Sequence, residues 1–323
     1  MSVRQFPIRL DKVRSFGAVF SDTRRFLREN FATYFLSLLL LAGPFVLVTC
    51  TMESYYQINL FSGDDIFPSF DRFGSWIAIN ALVGQFRWLI NGLIIALVVS
   101  HIIKQYQVKG PGKFDTHDVS VSIVKSFASN GITWLFLLVL CTIIGVAIAG
   151  FIYAISRESI LMGITLIGLI GLGYILVRFP FWYIIFSTFN ARAENGGKNP
   201  MKHFGYAAGL ISGSWWQTWA VFFIMWLLLY ALGKVISIPA EIMTYVAKMY
   251  SLDMYASKTD WKLIETILTS VAEFAKTMVN SIFCLAVGLH FFSLREKQEG
   301  RGTKELIEKI GTKADDDGVE LTY

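Results

Sequence analysis

Apolar residues in this chain gather into long blocks rather than into the alternating or one-sided patterns of a soluble core. Six blocks reach spanning length, at 31–50, 82–103, 132–155, 160–177, 216–238 and 271–292. A helix needs about 20 largely apolar residues to cross the hydrocarbon layer. Lipid offers no partner to a free backbone N–H or C=O, so each block predicts an α-helix. A β-barrel would instead show short alternating segments. The expected fold class is all-α: a polytopic membrane helix bundle with six transmembrane helices.

Other stretches have the pattern of helices lying in the headgroup layer. Residues 240–255 follow Pro239 and space Ile242, Tyr245, Val246 and Met249 helically among Glu241, Lys248 and Asp253. That predicts an interfacial amphipathic helix. Arg178 and Pro180 follow about 18 apolar residues, roughly 27 Å of helix. The aromatic run Phe179, Phe181, Trp182, Tyr183, Phe186 and Phe189 then predicts a continuation at the interface, a depth that Trp and Tyr favour. The odd-numbered blocks also share an opening: a mixed stretch, a small or amide residue, then Thr33-Tyr34, Thr133-Trp134 or Thr218-Trp219. This suggests three repeated hairpins, each led by an interfacial helix, with Asn30, Asn130 or Ser214 capping the turn into the span. Interfacial aromatics in any hairpin-built membrane protein offer a simpler origin for the likeness.

Charge placement orients these elements. Of 29 Lys and Arg residues, seven precede the first block, four lie between the second and third, three between the fourth and fifth, and six follow the last. Those twenty face six on the opposite side, with Arg87, Arg178 and Lys276 in or near spans. The positive-inside bias places both termini in the cytoplasm and requires an even number of crossings. The expected division is a basic cytoplasmic segment at 1–30, a six-helix membrane domain at 31–293, and a cytoplasmic tail at 294–323 that is first amphipathic and then acidic. The first block is too long, and its basic preamble too extended, for a secretory signal. Charged residues make up 16% of the chain against 54% hydrophobic, which leaves little soluble surface for nucleic acid.

Candidate chemistry is sparse. Cys50, Cys141 and Cys284 stand alone in apolar runs, without disulfide or zinc spacing. His101 and His290 fall near the cytoplasmic ends of their spans, where they could share a layer, while His117 and His203 lie in connections. None has metal-binding spacing. Asp64, Asp65 and Asp71 read as part of an ordinary outer loop. The GPGK stretch at 110–113 lacks Walker spacing, and Ser212 sits one place late for a nucleophile elbow. Gly163, Gly168, Gly171 and Gly173 suggest close helix packing. No catalytic residue and no cofactor is expected.

Charges inside spans are costly and are functional candidates by default. Arg87, with Gln85 and Asn91, is placed to bind an anion or lipid phosphate near the outer half of its span, or to snorkel to the interface. Arg178 is expected at the cytoplasmic boundary as a headgroup partner or anchor. Glu273 and Lys276 share one helical face and, with Glu265, Thr269, Thr277 and Asn280, form a polar stripe. Arg87, Arg178, Glu273, Lys276 and Asn280 are thus the candidate intramembrane polar or lipid-phosphate site.

The stretches ENFATYFLSLLLLAGPF, SGSWWQTWAVFFIMWLLLY and FFSLREKQEGRGTKELIEKIG resemble a broad class of uncharacterised six-helix membrane proteins best represented in Bacteroidota-type bacteria. The chain is more distantly similar to the membrane domain fused to some glycerophosphodiester phosphodiesterases. That resemblance implies an architecture and a bacterial inner membrane, and no reaction. The expected role is a non-enzymatic component of a membrane assembly or of lipid organisation. Its partners would be membrane lipids and a membrane or cytoplasmic protein met through the tail. A small-solute or lipid transporter with a polar path near Arg87 and the sixth span is the alternative.

Overall fold

The computed structural model describes residues 8–60, 70–156, 160–197, 199–250 and 259–300, together with 303, 304 and 307. Over stretches such as 56–60, 70–86, 146–156 and 160–172 it describes the helix path and not the side chains. The described residues form nine helices and no strand: α1 (Phe16–Leu41), α2 (Gly43–Leu60), α3 (Phe70–Lys109), α4 (Thr116–Lys125), α5 (Phe127–Ser156), α6 (Ile160–Asn195), α7 (Pro200–Leu210), α8 (Trp215–Tyr250) and α9 (Thr259–Glu299).

Three long helices make the centre. α3, α6 and α9 have 40, 36 and 41 residues, roughly 54–62 Å each at ~1.5 Å per residue, well beyond the ~30 Å hydrocarbon layer. Each packs on the other two. α1 and α2 lie against α9 and α3, α5 against α3 and α6, and α8 against α6 and α9. The three long helices end alike. Gly110, Gly196 and Gly300 take φ of +85°, +65° and +59°, and each N–H donates to the carbonyl four residues back, on Tyr106, Arg192 or Glu296, at 2.9 Å. A left-handed residue closing a helix in this way favours glycine. We call this end of the bundle basal and the opposite end distal.

Short helices collect at the basal end because the chain restarts there with strong caps. α4 opens on a capping box between Asp115 and Asp118. α7 opens on Asn199, whose Oδ1 accepts from Met201 and Lys202, with Pro200 in the first helical position where its missing N–H costs nothing. α1 is interrupted at Asn30, which leaves helical geometry. Its Nδ2 donates to the Phe26 carbonyl and its Oδ1 accepts from Gly112 N–H at 3.1 Å. Asn30 therefore ties the kink to the 110–113 turn, rather than starting a helix as expected. Asn130 likewise lies inside α5 and donates to the Ile123 carbonyl. Ser214 sits at the break just before α8, where its carbonyl accepts from Thr218 N–H.

Among the described residues, four stretches are long and apolar enough to cross a bilayer: Leu89–Lys109, Phe127–Gly145, Trp215–Met243 and Leu263–Glu299. The pair Phe16–Leu41 and Gly43–Tyr55 makes a fifth if its two bent arms form one span. The described chain is thus all-helical, with four or five helices of membrane-spanning length and composition. Block 160–177 runs along α6, with most of its side chains outside the described residues.

Three expectations are corrected. The first block is not one straight helix, because it bends by 59° between α1 and α2. Pro44 lacks an N–H, and its ring clashes with the carbonyl four residues back, so the helix breaks at Ala42, just before Gly43-Pro44. Residues 240–250 continue α8 through Pro239 rather than opening a separate helix, while 251–255 lie outside the described residues. The aromatic run on α6 faces protein: Phe179, Trp182, Tyr183, Phe186 and Phe189 are buried, and α6 passes through Pro180 without ending.

Smaller expectations resolve as follows. Of the outer segment 62–76, residues 70–76 already belong to α3, and 62–69 lie outside the described residues. Gly173 has open space beside it within the described chain, whereas Gly163, Gly168 and Gly171 lie among residues whose side chains are not described. Arg295–Glu299 completes α9 instead of beginning the tail.

Candidate functional site

Near the middle of their lengths, beyond the basal short helices, α3, α6, α8 and α9 enclose a cavity of about 310 Å³, called here the distal cavity. Arg87, Arg178, Glu273, Lys276 and Asn280, which the sequence offers as separate candidates, all line it. Arg178 is the one moved. It sits midway along a 36-residue helix, not at the end of a short span, because α6 continues well past it. Its guanidinium lies 5.5 Å from the Trp226 ring centre and 5.8 Å from that of Phe179, within cation–π range.

Arg87 is held from two sides. It forms ion pairs with Glu53 of α2 and, at 3.1 Å, with Glu273 of α9. Glu273 also pairs with Lys276 one turn on. Charges alternate along this row, which lowers the cost of placing four of them among apolar helices. Thr277 Oγ1 donates to the Glu273 carbonyl at 2.7 Å. Asn91 accepts from Thr49 Oγ1 at 2.7 Å, joining α2 to the same wall. Arg87 therefore does not snorkel alone; it bridges α2, α3 and α9.

Lys276 reaches the cavity because α8 has no side chain in its way. A Cβ at Gly233 would come within 2.9 Å of Lys276 Cγ, so the glycine lets the lysine stem pass between α8 and α9. Phe179, Trp182, Phe186, Trp226 and Phe283 supply an apolar floor and side, while Tyr230 and Lys234 mark the rim at 52% and 56% exposed. The lining thus has four cationic side chains, Arg87, Arg178, Lys234 and Lys276, and one carboxylate, Glu273. Such a surface is chemically suited to an anion attached to apolar substance. Among the described residues, no nucleophile paired with a base lines the space.

Glu53 and Lys234 are not among the residues that the sequence singles out: Glu53 follows the end of the first apolar block, and Lys234 reads as one of the six basic residues on the opposite side. The signal for Glu53 was an acid placed to continue the helix after the Gly43-Pro44 bend.

The remaining candidates fall elsewhere. His101 meets Ser122 Oγ at 2.8 Å and Asn130, and His290 meets Thr218 Oγ1 at 3.1 Å. Each ties a long helix to a neighbouring one. Asp115, His117 and Asp118 cluster at the α4 start, but both carboxylates serve the capping box and Lys109 pairs with Asp118. That hydrogen-bonded lysine, with the backbone N–H of Asp115, holds the Asp118 carboxyl below its ordinary range.

At the basal end two arginines counted as topology charges are buried. Arg14 donates to the carbonyls of Leu10 and Arg9 at 2.7 Å and pairs with Asp22 at 2.8 Å. Arg295 pairs with Asp11 at 2.5 Å and with Glu194 at 2.7 Å. Together they fasten the N-terminal segment to the ends of α6 and α9. No protein-family model, curated protein or solved structure matches the chain.

Proposed function

We propose that the protein is a non-catalytic membrane component that handles lipid, by holding the anionic head of a membrane amphiphile in the distal cavity. One observation carries this reading: four cationic side chains and an aromatic floor line a single space of about 310 Å³, near the lower end of ligand pockets at roughly 300–1,000 Å³. The combination matches a charged head joined to apolar chains.

The accompanying topology is six crossings with both termini cytoplasmic, in a bacterial inner membrane, which makes the basal end cytoplasmic. The twenty-to-six division of Lys and Arg supports the orientation, and the resemblance supports the membrane. Three repeated units are supported by the packing: α1–α2, α5 and α8 each occupy one groove between two of the long helices. Transport of lipid or solute is a second reading, favoured by the polar row on α9, but it requires the closed basal half to open.

Mass spectrometry of the intact protein, extracted from its own membranes in a mild detergent, tests the proposal. An anionic lipid retained at about one copy per chain supports it. A stoichiometric protein partner with no retained lipid would replace it with the assembly role.

A further inference from the structure

The cavity does not open in an arbitrary direction. Its deepest lining is nearly inaccessible: Asn91, Phe186 and Cys284 are 3%, 2% and 5% exposed. Exposure rises through Lys276 to Tyr230 and Lys234 on α8. Between 227 and 238 the other large outward side chains of that helix are apolar, with Leu227, Leu228, Leu232, Val235 and Ile238 between 45% and 61% exposed, and Lys234 pairs with the exposed Glu241 further along. They lie within the span Trp215–Met243. A helix face of that composition meets lipid tails rather than water, and Lys234 can reach across it on its flexible stem. The mouth of the cavity is therefore lateral.

Volume and chemistry narrow the occupant. About 310 Å³ accommodates a headgroup, and a diacyl lipid must leave its chains outside. Donor-bearing side chains of two helices line it: Arg178 of α6, and Asn280 and Lys276 of α9, the last already paired with Glu273. A group with several acceptor oxygens satisfies such a set, and guanidinium and ammonium groups pair strongly with phosphate. Arg87, gripped by Glu53 and Glu273, positions Glu273 and through it Lys276. Trp226, Leu229 and Phe179 offer the first apolar contacts to the chains.

We propose that the phosphate-bearing head of a phospholipid enters this cavity sideways from the bilayer past α8, with Arg178 and Lys234 at the mouth and Lys276 inside, while its acyl chains stay in the lipid layer. The proposal rests on the lipid-handling reading above and adds the headgroup chemistry, the route, and a requirement for an attached tail. Soluble phosphate esters, which lack that tail, are poor ligands.

The test uses the full chain in detergent micelles and measures saturable binding of dioleoyl phosphatidylglycerol, with sn-glycerol 3-phosphate and dioleoylglycerol as competitors. Neither competitor is expected to displace the phospholipid at equal concentration. Arg178→Gln and Lys276→Gln should each weaken binding about tenfold, the loss of one charge-assisted contact. Equal competition by glycerol 3-phosphate overturns the sideways route while leaving anion binding intact. Equal competition by dioleoylglycerol overturns phosphate recognition. Absence of any saturable phosphatidylglycerol binding overturns both this inference and the lipid-handling reading. The competition is performed on the unmodified chain, so it decides the matter even if a variant fails to fold.

Discussion

The two ends of the bundle both place arginines among packed helices, and they treat them differently. At the basal end Arg14 and Arg295 are enclosed: carbonyls and Asp22 take up the donors of one, and two carboxylates grip the other. At the distal end Arg87 pairs with Glu53 and Glu273, Lys276 with Glu273 and Lys234 with Glu241, yet these cations and Arg178 border a cavity instead of being sealed. The basal charges close a structure, whereas the distal charges surround a place for something else. Buried charge alone therefore does not mark a functional site; what the charge faces does.

The largest expected effect comes from breaking the basal end. Arg295→Ala leaves Asp11 and Glu194 without their shared cation, and removal of one partner from a buried pair typically costs about 3–5 kcal/mol. The thermal unfolding midpoint should fall sharply, with loss of folded protein on extraction. Arg295→Lys should recover only part, because an ammonium cannot span two carboxylates as a guanidinium does. A midpoint unchanged by Arg295→Ala would erase the contrast between the ends.

Arg87 sharpens the comparison, because it is a distal residue held in the basal manner. Arg87→Ala should destabilise by roughly 2–4 kcal/mol, because Glu53 loses its cation and Glu273 keeps only Lys276. Adding Glu53→Gln should restore part of that loss, as expected for coupled neighbours. Additive losses in the two-residue variant would show that Arg87 and Glu53 act separately.

How far these differences could be read from the chain depends on their range. The apolar blocks locate α3, α5, α8 and α9, since hydropathy is a local property. The 59° bend at Gly43-Pro44 was written in the sequence as a turn dipeptide, but the apolar run continues across it and conceals it. Pro180 and Pro239 carried the opposite risk: neither stops its helix, because neighbouring packing in a membrane protein tolerates the lost hydrogen bond. The five candidate site residues were legible because charge within apolar runs is conspicuous. Their convergence was not, since Arg87 and Glu273 are 186 positions apart. Arg14 and Arg295 were read as topology charges because nothing local distinguishes a solvated arginine from one sealed by distant carboxylates.

Smaller effects refine the basal half. Asn30→Ala removes the tie to Gly112 N–H and should cost about 1 kcal/mol, the usual net value of one such bond, readable as a modest drop in the same midpoint. His203 on α7 is smaller still. Burial, with Arg192 and Lys202 nearby, lowers its pKa, so it is neutral in the fold. The unfolded chain takes up that proton as pH falls below about 6.5, so the contribution is complete above that value and lost on acidification. Unfolding midpoints at pH 7.5 and 5.5 should differ less in His203→Gln than in the unmodified protein.

The most direct test of the central claim is photocrosslinking of the full chain in bilayers with a phospholipid carrying a photoreactive group near its head, followed by peptide mapping. Adducts are expected on cavity-lining positions of α8 and α9, around Leu229 and Phe283, and should diminish in Arg178→Gln and Lys276→Gln. Adducts confined to outward-facing positions such as Leu228 and Val235, and indifferent to those substitutions, would contradict it.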